Sequence, residues 1–188
     1  MSLQAGGPKA EAAFREASLA CLDGLFGFAM VLAREPAAAE DLVQETYLRA
    51  LSARHKADLS ENLRGWLFTI LHNVWRNEVR RPRLERLDEA DVSRGPRSVV
   101  WLVSPGGPHE ELERVRLRET LRQAVDELPS RLREVVILRG FEGFSYQEIA
   151  SILGCPTGTV MSRLARGRAL IRRRLADHPS RASCEAGR

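Results

Sequence analysis

Six arginines, Arg163, Arg166, Arg168, Arg172, Arg173 and Arg174, fall within Thr157–Leu175, and no acid stands among them. Guanidinium groups at this density suit a polyanion, because each presents a planar fork of donors that fits phosphate oxygens. A contrasting set lies nearer the start: Glu35, Glu40, Asp41 and Glu45 form a stretch with no base. Such an acidic helix suits a basic protein surface. Between the two, Trp66, Thr69, Asn73, Arg76, Asn77 and Arg80 recur at helical spacing. Aromatic, amide and guanidinium groups together offer unpaired nucleic acid a stacking platform, hydrogen bonds to base edges and phosphate neutralisation. Each set also has a plainer reading. Isolated charge runs are usually solvated faces, Trp66 serves equally well as core, and Trp75 suits the core better. Nowhere does a nucleophile stand with a paired acid and base, nor is there a nucleotide-binding loop. The expectation is a binding protein, not an enzyme, with no cofactor.

The bulk composition agrees. Of 188 residues, 44% are hydrophobic and 29% charged, and the net charge of +4 conceals the segregation just described. Cys21, Cys155 and Cys184 are scattered, as are His55, His72, His109 and His178, so no metal-ligand spacing arises. The longest apolar run, Leu25–Ala33, is far shorter than the ~18 residues of a membrane span and too internal for a signal peptide. These features suit a reducing cytoplasm and no structural metal.

Apolar residues recur at three- and four-residue spacing, without the sustained alternation of a strand, so the fold expected is all-α. One helix is expected over about Glu11–Ala33. A second starts at Pro36 and runs to about Ala53, with Val43, Tyr47 and Leu51 inward and Asp41, Gln44, Glu45 and Arg49 outward. A third, capped by Asn62, runs from Leu63 and is ended at Arg81 by Pro82; Leu63, Leu67, Leu71 and Val74 form its buried stripe. Residues 82–109, rich in proline and glycine, read as a linker. Its apolar Val99–Val103 could pack on its own protein or dock on a partner. Helix resumes at about Glu110–Leu128 and Ser130–Arg139. Ser145 and Glu148 form a capping box for the next helix. Both chain ends look frayed. The organisation is two small helical domains, 11–81 and 110–176, joined by an extended linker.

Ser145–Leu175 has the layout of a helix-turn-helix. Ile149 and Leu153 share one face, Ala150 allows a close crossing, Gly154 takes the turn, and Val160 and Leu164 anchor the second helix. Thr157 is expected to cap that helix. Thr157, Gly158 and Thr159 at its amino end present backbone N–H groups for a phosphate. Ser162, Ala165, Arg166 and Ala169 lie on the outer face, flanked by Met161 and Arg163. Arg168, Arg172, Arg173 and Arg174 can reach further phosphates, contacts that position without reading sequence.

Taken as one unit, "LPSRLREVVILRGFEGFSYQEIASILGCPTGTVMSRLARGRALI" resembles region 4 of bacterial sigma factors, more narrowly the extracytoplasmic-function (ECF, group IV) class. "AEDLVQETYLRAL" and "LRGWLFTILHNVWRNEVRR" resemble region 2 of the same family, in the same order. The resemblance covers about Phe14–Leu175. It implies an initiation subunit of RNA polymerase. Asp41, Gln44, Glu45 and Arg49 would grip a basic coiled coil on the β′ clamp of core polymerase. Trp66, Thr69, Asn73, Arg76, Asn77 and Arg80 would contact the promoter −10 element, with Asn73 at the pocket for an extruded base. Thr157, Gly158, Thr159, Met161, Ser162, Arg163, Ala165, Arg166 and Arg168 would contact the −35 duplex. An anti-sigma factor is the further partner implied. The chain departs from the family pattern in three places. Residues 52–62 carry no aromatic, Asn77 stands where Asp is frequent, and Met161 stands where Lys or Arg is common. Met161 suits a thymine methyl better than a guanine edge. The alternatives are a free-standing helix-turn-helix regulator and a sigma mimic that sequesters an anti-sigma factor.

Overall fold

The computed structural model describes residues 8–53, 62–83 and 118–176, and every regular element among them is a helix. The amino-terminal domain holds α1 (Pro8–Leu19), α2 (Leu22–Ala33), α3 (Pro36–Ser52) and α4 (Leu63–Arg83). The carboxy-terminal domain holds α5 over 118–126, then α6 (Ser130–Gly140), α7 (Tyr146–Leu153) and α8 (Thr157–Ala176). Most of the expected linker, with Val99–Val103, lies outside the described residues.

The single helix expected over Glu11–Ala33 is two helices, which meet at 53°. Periodicity runs through the break, so the cause is tertiary. The Ser18 carbonyl, which a continuous helix would bond to Leu22, instead accepts from the Cys21 N–H at 3.0 Å and the Tyr47 hydroxyl at 2.7 Å. Ser18 and Cys21 also turn their side chains back onto the carbonyls of Phe14 and Ala17, which loosens the helix further. Burial pushes the Tyr47 phenol up to about 12, so it stays a donor.

At its other end α2 stops in a left-handed residue, Arg34, at φ 60°, whose N–H bonds the Met30 carbonyl. Pro36 then opens α3 where its missing N–H costs nothing. The inward face of α3 is Ala39, Leu42, Val43, Thr46 and Ala50. Tyr47 is half-buried and Leu51 is exposed, a correction to the expected stripe. Small Ala39 and Ala50 let the neighbouring helices approach, so the inward face turns toward them and carries Leu51 outward. Asn62 caps α4, its Oδ1 accepting the Gly65 N–H at 2.8 Å. Leu63, Leu67, Leu71 and Val74 are buried as expected, joined by Phe68. Pro82 does not end α4 at Arg81. It sits in the last turn, where it forfeits only one hydrogen bond, and the helix closes at Arg83.

The second domain follows its capping signals closely. Ser145 and Glu148 exchange both bonds of a capping box, and Gly154 takes a left-handed φ of 60° after α7. The Cys155 N–H returns to the Ala150 carbonyl at 3.0 Å and completes the turn. Thr157 is not the cap of α8 but its first residue; the Pro156 carbonyl already receives the Thr159 and Val160 N–H groups. Arg133 is buried, and its guanidinium donates to the carbonyls of Val125, Asp126 and Leu128. It thereby satisfies the orphan carbonyls where α5 ends.

The two domains are in contact, with α2 against α6 and α4 against α7. One buried cluster runs through both, its rings stepping from Phe28 to Phe68 (5.6 Å between centroids) to Phe144 (4.9 Å). Each such ring contributes about 1.5–3 kcal/mol by burial alone. Gly167 is what allows α8 to lie against α6. A Cβ there would stand 2.7 Å from Val136 Cγ2. Gly167→Val should lower stability by roughly 1–3 kcal/mol through overpacking. Urea unfolding checks this, and an unchanged midpoint would mean the two helices have slack.

Candidate nucleic-acid and protein interfaces

The outer face of α8 exists because its other face is fixed. Val160, Leu164 and Gly167 are buried against α6 and α7, which leaves Met161, Ser162, Ala165, Arg166, Arg168 and Ala169 exposed. Met161 keeps 50% of its surface in solvent. At the amino end Gly158 is exposed, while Thr157 and Thr159 are half-buried. The Ser162 hydroxyl donates to the Thr159 carbonyl at 3.0 Å and leaves its lone pairs outward.

The basic run is not uniform. Arg172 and Arg173 are exposed. Arg174, expected to reach phosphate, pairs with Glu127 of the second domain at 2.9 Å. The sequence offered α8 no acid of its own, but folding supplies one from beyond α5. Arg163 is half-buried, and its charge bears on Glu134 of α6.

In the first domain Asp41, Gln44 and Arg49 are exposed and Glu45 is half-buried. Glu45 accepts from Arg49 at 2.6 Å, so part of the acidic face is already countered. A groove of about 640 Å³ runs along this face, lined by Asp41, Glu45 and Arg49 from α3 and by Val74, Asn77 and Glu78 from α4. It joins two sets that sequence spacing kept apart, and Glu78 adds a carboxylate that sequence reading missed. Leu48 was missed as well. It is 61% exposed on the outward side of α3, beside Gln44 and Arg49 along the helix.

On α4, Asn73, Arg76 and Asn77 are exposed, and the Arg80 side chain lies outside the described residues. Thr69 is half-buried with its hydroxyl on the Gly65 carbonyl. Trp66 is half-buried, its ring edge-on to Phe14 of α1 at 6.5 Å, and Trp75 also packs partly on the core. Arg76 leans toward the helix-turn-helix, its Nη1 3.7 Å from where a Gly154 Cβ would stand.

His72 lies in none of the expected sets, yet it is buried 3.9 Å from Glu134 across the domain contact. Burial pushes the Glu134 carboxyl up to about 7 and holds the imidazole below its usual value, with Arg76 lowering it further. Near pH 7 the imidazole is therefore mainly neutral, while the Glu134 carboxyl is close to its midpoint. The sign for stability follows. Below its ordinary pKa of 4.5 Glu134 is protonated whether the chain is folded or not, so it costs nothing. Between 4.5 and 7 the unfolded chain ionises first and stability falls as pH rises. Glu134→Gln should match the parent at pH 4 and exceed it at pH 8 by on the order of 3 kcal/mol. Denaturant midpoints across that range test this, and a difference that does not change with pH would refute it.

Among the described residues no group of three or more His, Cys, Asp or Glu side chains could hold a metal ion.

Comparison with known proteins accords with this geometry. Residues 19–85 match the family described as Sigma-70 region 2, and residues 118–171 match Sigma-70, region 4. The chain is 41% identical over 157 residues to the ECF RNA polymerase sigma factor EcfG of Rhodopseudomonas palustris, covering 84% of this chain and 82% of that protein. It is 30% identical over 142 residues to the ECF RNA polymerase sigma factor SigW of Bacillus subtilis, covering 74% and 76% respectively. Among solved structures, the sigma factor RpoE in complex with the anti-sigma factor NepR from Bartonella quintana aligns with a TM-score of 0.69. That alignment has 31% identity over 87% of this chain and 97% of that one. CnrH in complex with the cytosolic domain of CnrY aligns at 0.58, with 25% identity over 89% and 91%.

Proposed function

The chain belongs to the ECF sigma factors, and from that premise we propose how its surfaces divide the work of transcription initiation. Members of this family are non-enzymatic factors that bind core RNA polymerase and direct initiation at specific promoters; bond-making stays with the polymerase. In our assignment residues 11–81 are the region 2 domain, 82–109 the linker and 110–176 the region 4 domain. The face of Asp41, Gln44, Glu45 and Arg49 docks on the β′ coiled coil. Trp66, Thr69, Asn73, Arg76, Asn77 and Arg80 serve the melted −10 strand.

On α8, Arg166 with Met161, Ser162 and Ala165 reads the −35 major groove. Thr157, Gly158, Thr159, Arg163 and Arg168 hold the flanking backbone. The observation that carries this reading is the outer face of α8, exposed and acid-free, on a helix whose opposite face is locked by Val160, Leu164 and Gly167. A partner of the anti-sigma class is also proposed, since RpoE and CnrH, similar in fold, were solved with NepR and CnrY. The cytoplasm is the proposed location, and no single helix among the described residues is long and apolar enough to cross a membrane. A free-standing helix-turn-helix regulator would not need the region 2 match.

Arg166→Ala should weaken matched −35 duplex about 10- to 100-fold, as loss of one good base contact does, and leave scrambled DNA nearly unaffected. Arg173→Ala should weaken both alike, because a phosphate contact carries no sequence. Binding of holoenzyme to matched and scrambled promoters separates the two, and equal losses for both variants would overturn the assignment. Glu45→Lys should abolish co-purification with core polymerase while the thermal unfolding curve barely moves. Internally it breaks one i,i+4 pair, a matter of about 0.5 kcal/mol. Unchanged co-purification would move the docking face elsewhere.

A further inference from the structure

The outer face of α8 has two chemically different edges. At about 100° of rotation per residue, Met161, Ala165, Arg168 and Arg172 fall within about 60° of one another. Ser162, Arg166 and Arg173 fall within about 40° of one another on the other side. All seven are exposed, while Val160, Leu164 and Gly167 are buried behind them. The first edge is apolar where the helix begins and cationic further along. The second carries polar or charged groups at each of its three positions.

Guanidiniums continue along both edges, and α8 contains no acid, so the occupant of this face is a polyanion. Under the function proposed above, on which the present inference rests, it is the major groove of the −35 duplex. That groove offers acceptors on guanine, an amino donor on cytosine, one of each on adenine, and an acceptor with a C5 methyl on thymine. Arg166 carries donors only and fits guanine. The Ser162 proton is committed to the Thr159 carbonyl at 3.0 Å, so its hydroxyl meets bases as an acceptor. Neither Met161 nor Ala165 has a side-chain proton to donate. The feature of the groove that suits them is the methyl, and an unbranched, polarizable thioether moulds to it well.

We propose that Met161, with Ala165 beside it, reads the C5 methyl of a pyrimidine in the −35 duplex, within about three base pairs of the guanine met by Arg166. Met161 and Arg166 are about 7.5 Å apart along the helix axis, roughly two steps of about 3.4 Å. The chemical class recognised is a C5-methylated pyrimidine: thymine, or 5-methylcytosine, which carries the same methyl. Taking one such methyl out of contact weakens binding about fourfold.

The test uses holoenzyme and the −35 duplex that selection from a randomised pool yields. Each thymine is replaced singly by deoxyuridine, which lacks only the C5 methyl. In the parent one replacement, close to the guanine to which Arg166→Ala is sensitive, should cost about fourfold in affinity. Met161→Ala should lose about as much on the thymine duplex and be indifferent to that deoxyuridine. At the same position 5-methylcytosine should bind the parent about fourfold better than cytosine, and Met161→Ala should not distinguish them. Met161→Lys should shift selection there from thymine toward guanine. Met161 is exposed, so both variants should keep the parent's affinity for scrambled DNA. Four results would each overturn the proposal: a selected duplex with no thymine within three base pairs of that guanine, deoxyuridine tolerated at every position, a deoxyuridine penalty undiminished in Met161→Ala, or equal losses on matched and scrambled DNA. Selective loss in Arg166→Ala with deoxyuridine tolerated overturns the methyl reading and leaves the assignment of α8 standing. Absence of any selective loss in Arg166→Ala overturns that assignment itself.

Discussion

The contact that organises the molecule is the column of rings from Phe28 through Phe68 to Phe144, with Arg64 laid across its upper two members. Phe68 belongs to α4 and is fully buried, so α4 cannot turn about its axis without emptying the centre of the column. Rotation fixed in this way decides which residues of α4 look outward. Asn73 and Asn77 are exposed because Leu67, Phe68 and Leu71 are not. The same logic governs α8, where Gly167 against Val136 sets the depth of the helix and Val160 and Leu164 set its rotation. In both domains the face proposed for binding is the remainder left by the packing of the core.

Much of this was legible beforehand. The Ser145–Glu148 capping box, the Gly154 turn, Asn62 as a cap and the Leu63, Leu67, Leu71, Val74 stripe are local signals, and each is present in the fold. Local chemistry reaches only three or four residues along the chain, which is the range over which helix caps and stripes are decided.

What escaped was set at long range. The break at Ala20–Cys21 depends on Tyr47, from another helix, taking the Ser18 carbonyl. Leu51 faces outward because small Ala39 and Ala50 face in, and apolar spacing alone does not rank alanine above leucine. Arg174 has an acid after all, 47 positions back in the sequence at Glu127. The groove shared by α3 and α4, and the meeting of His72 with Glu134, required knowledge of which helices touch.

The arginines also divide by employment once the fold is known. Arg133 is buried on three carbonyls, Arg64 is held by Glu142, Arg139 bonds the Phe144 carbonyl, and Arg34 bonds that of Asp126. These four are structural rivets, and none of them is at liberty to displace the cations condensed on a duplex. Arg166, Arg168, Arg172 and Arg173 are the exposed guanidiniums of α8 outside any ion pair described above. On the proposed assignment, the dependence of DNA affinity on ionic strength counts that small group, its neighbours at the helix start, and Arg76 and Arg80 of α4. On that assignment the isoelectric point of about 9.4 counts the four rivets too, and so overstates the charge that the DNA-facing surface offers.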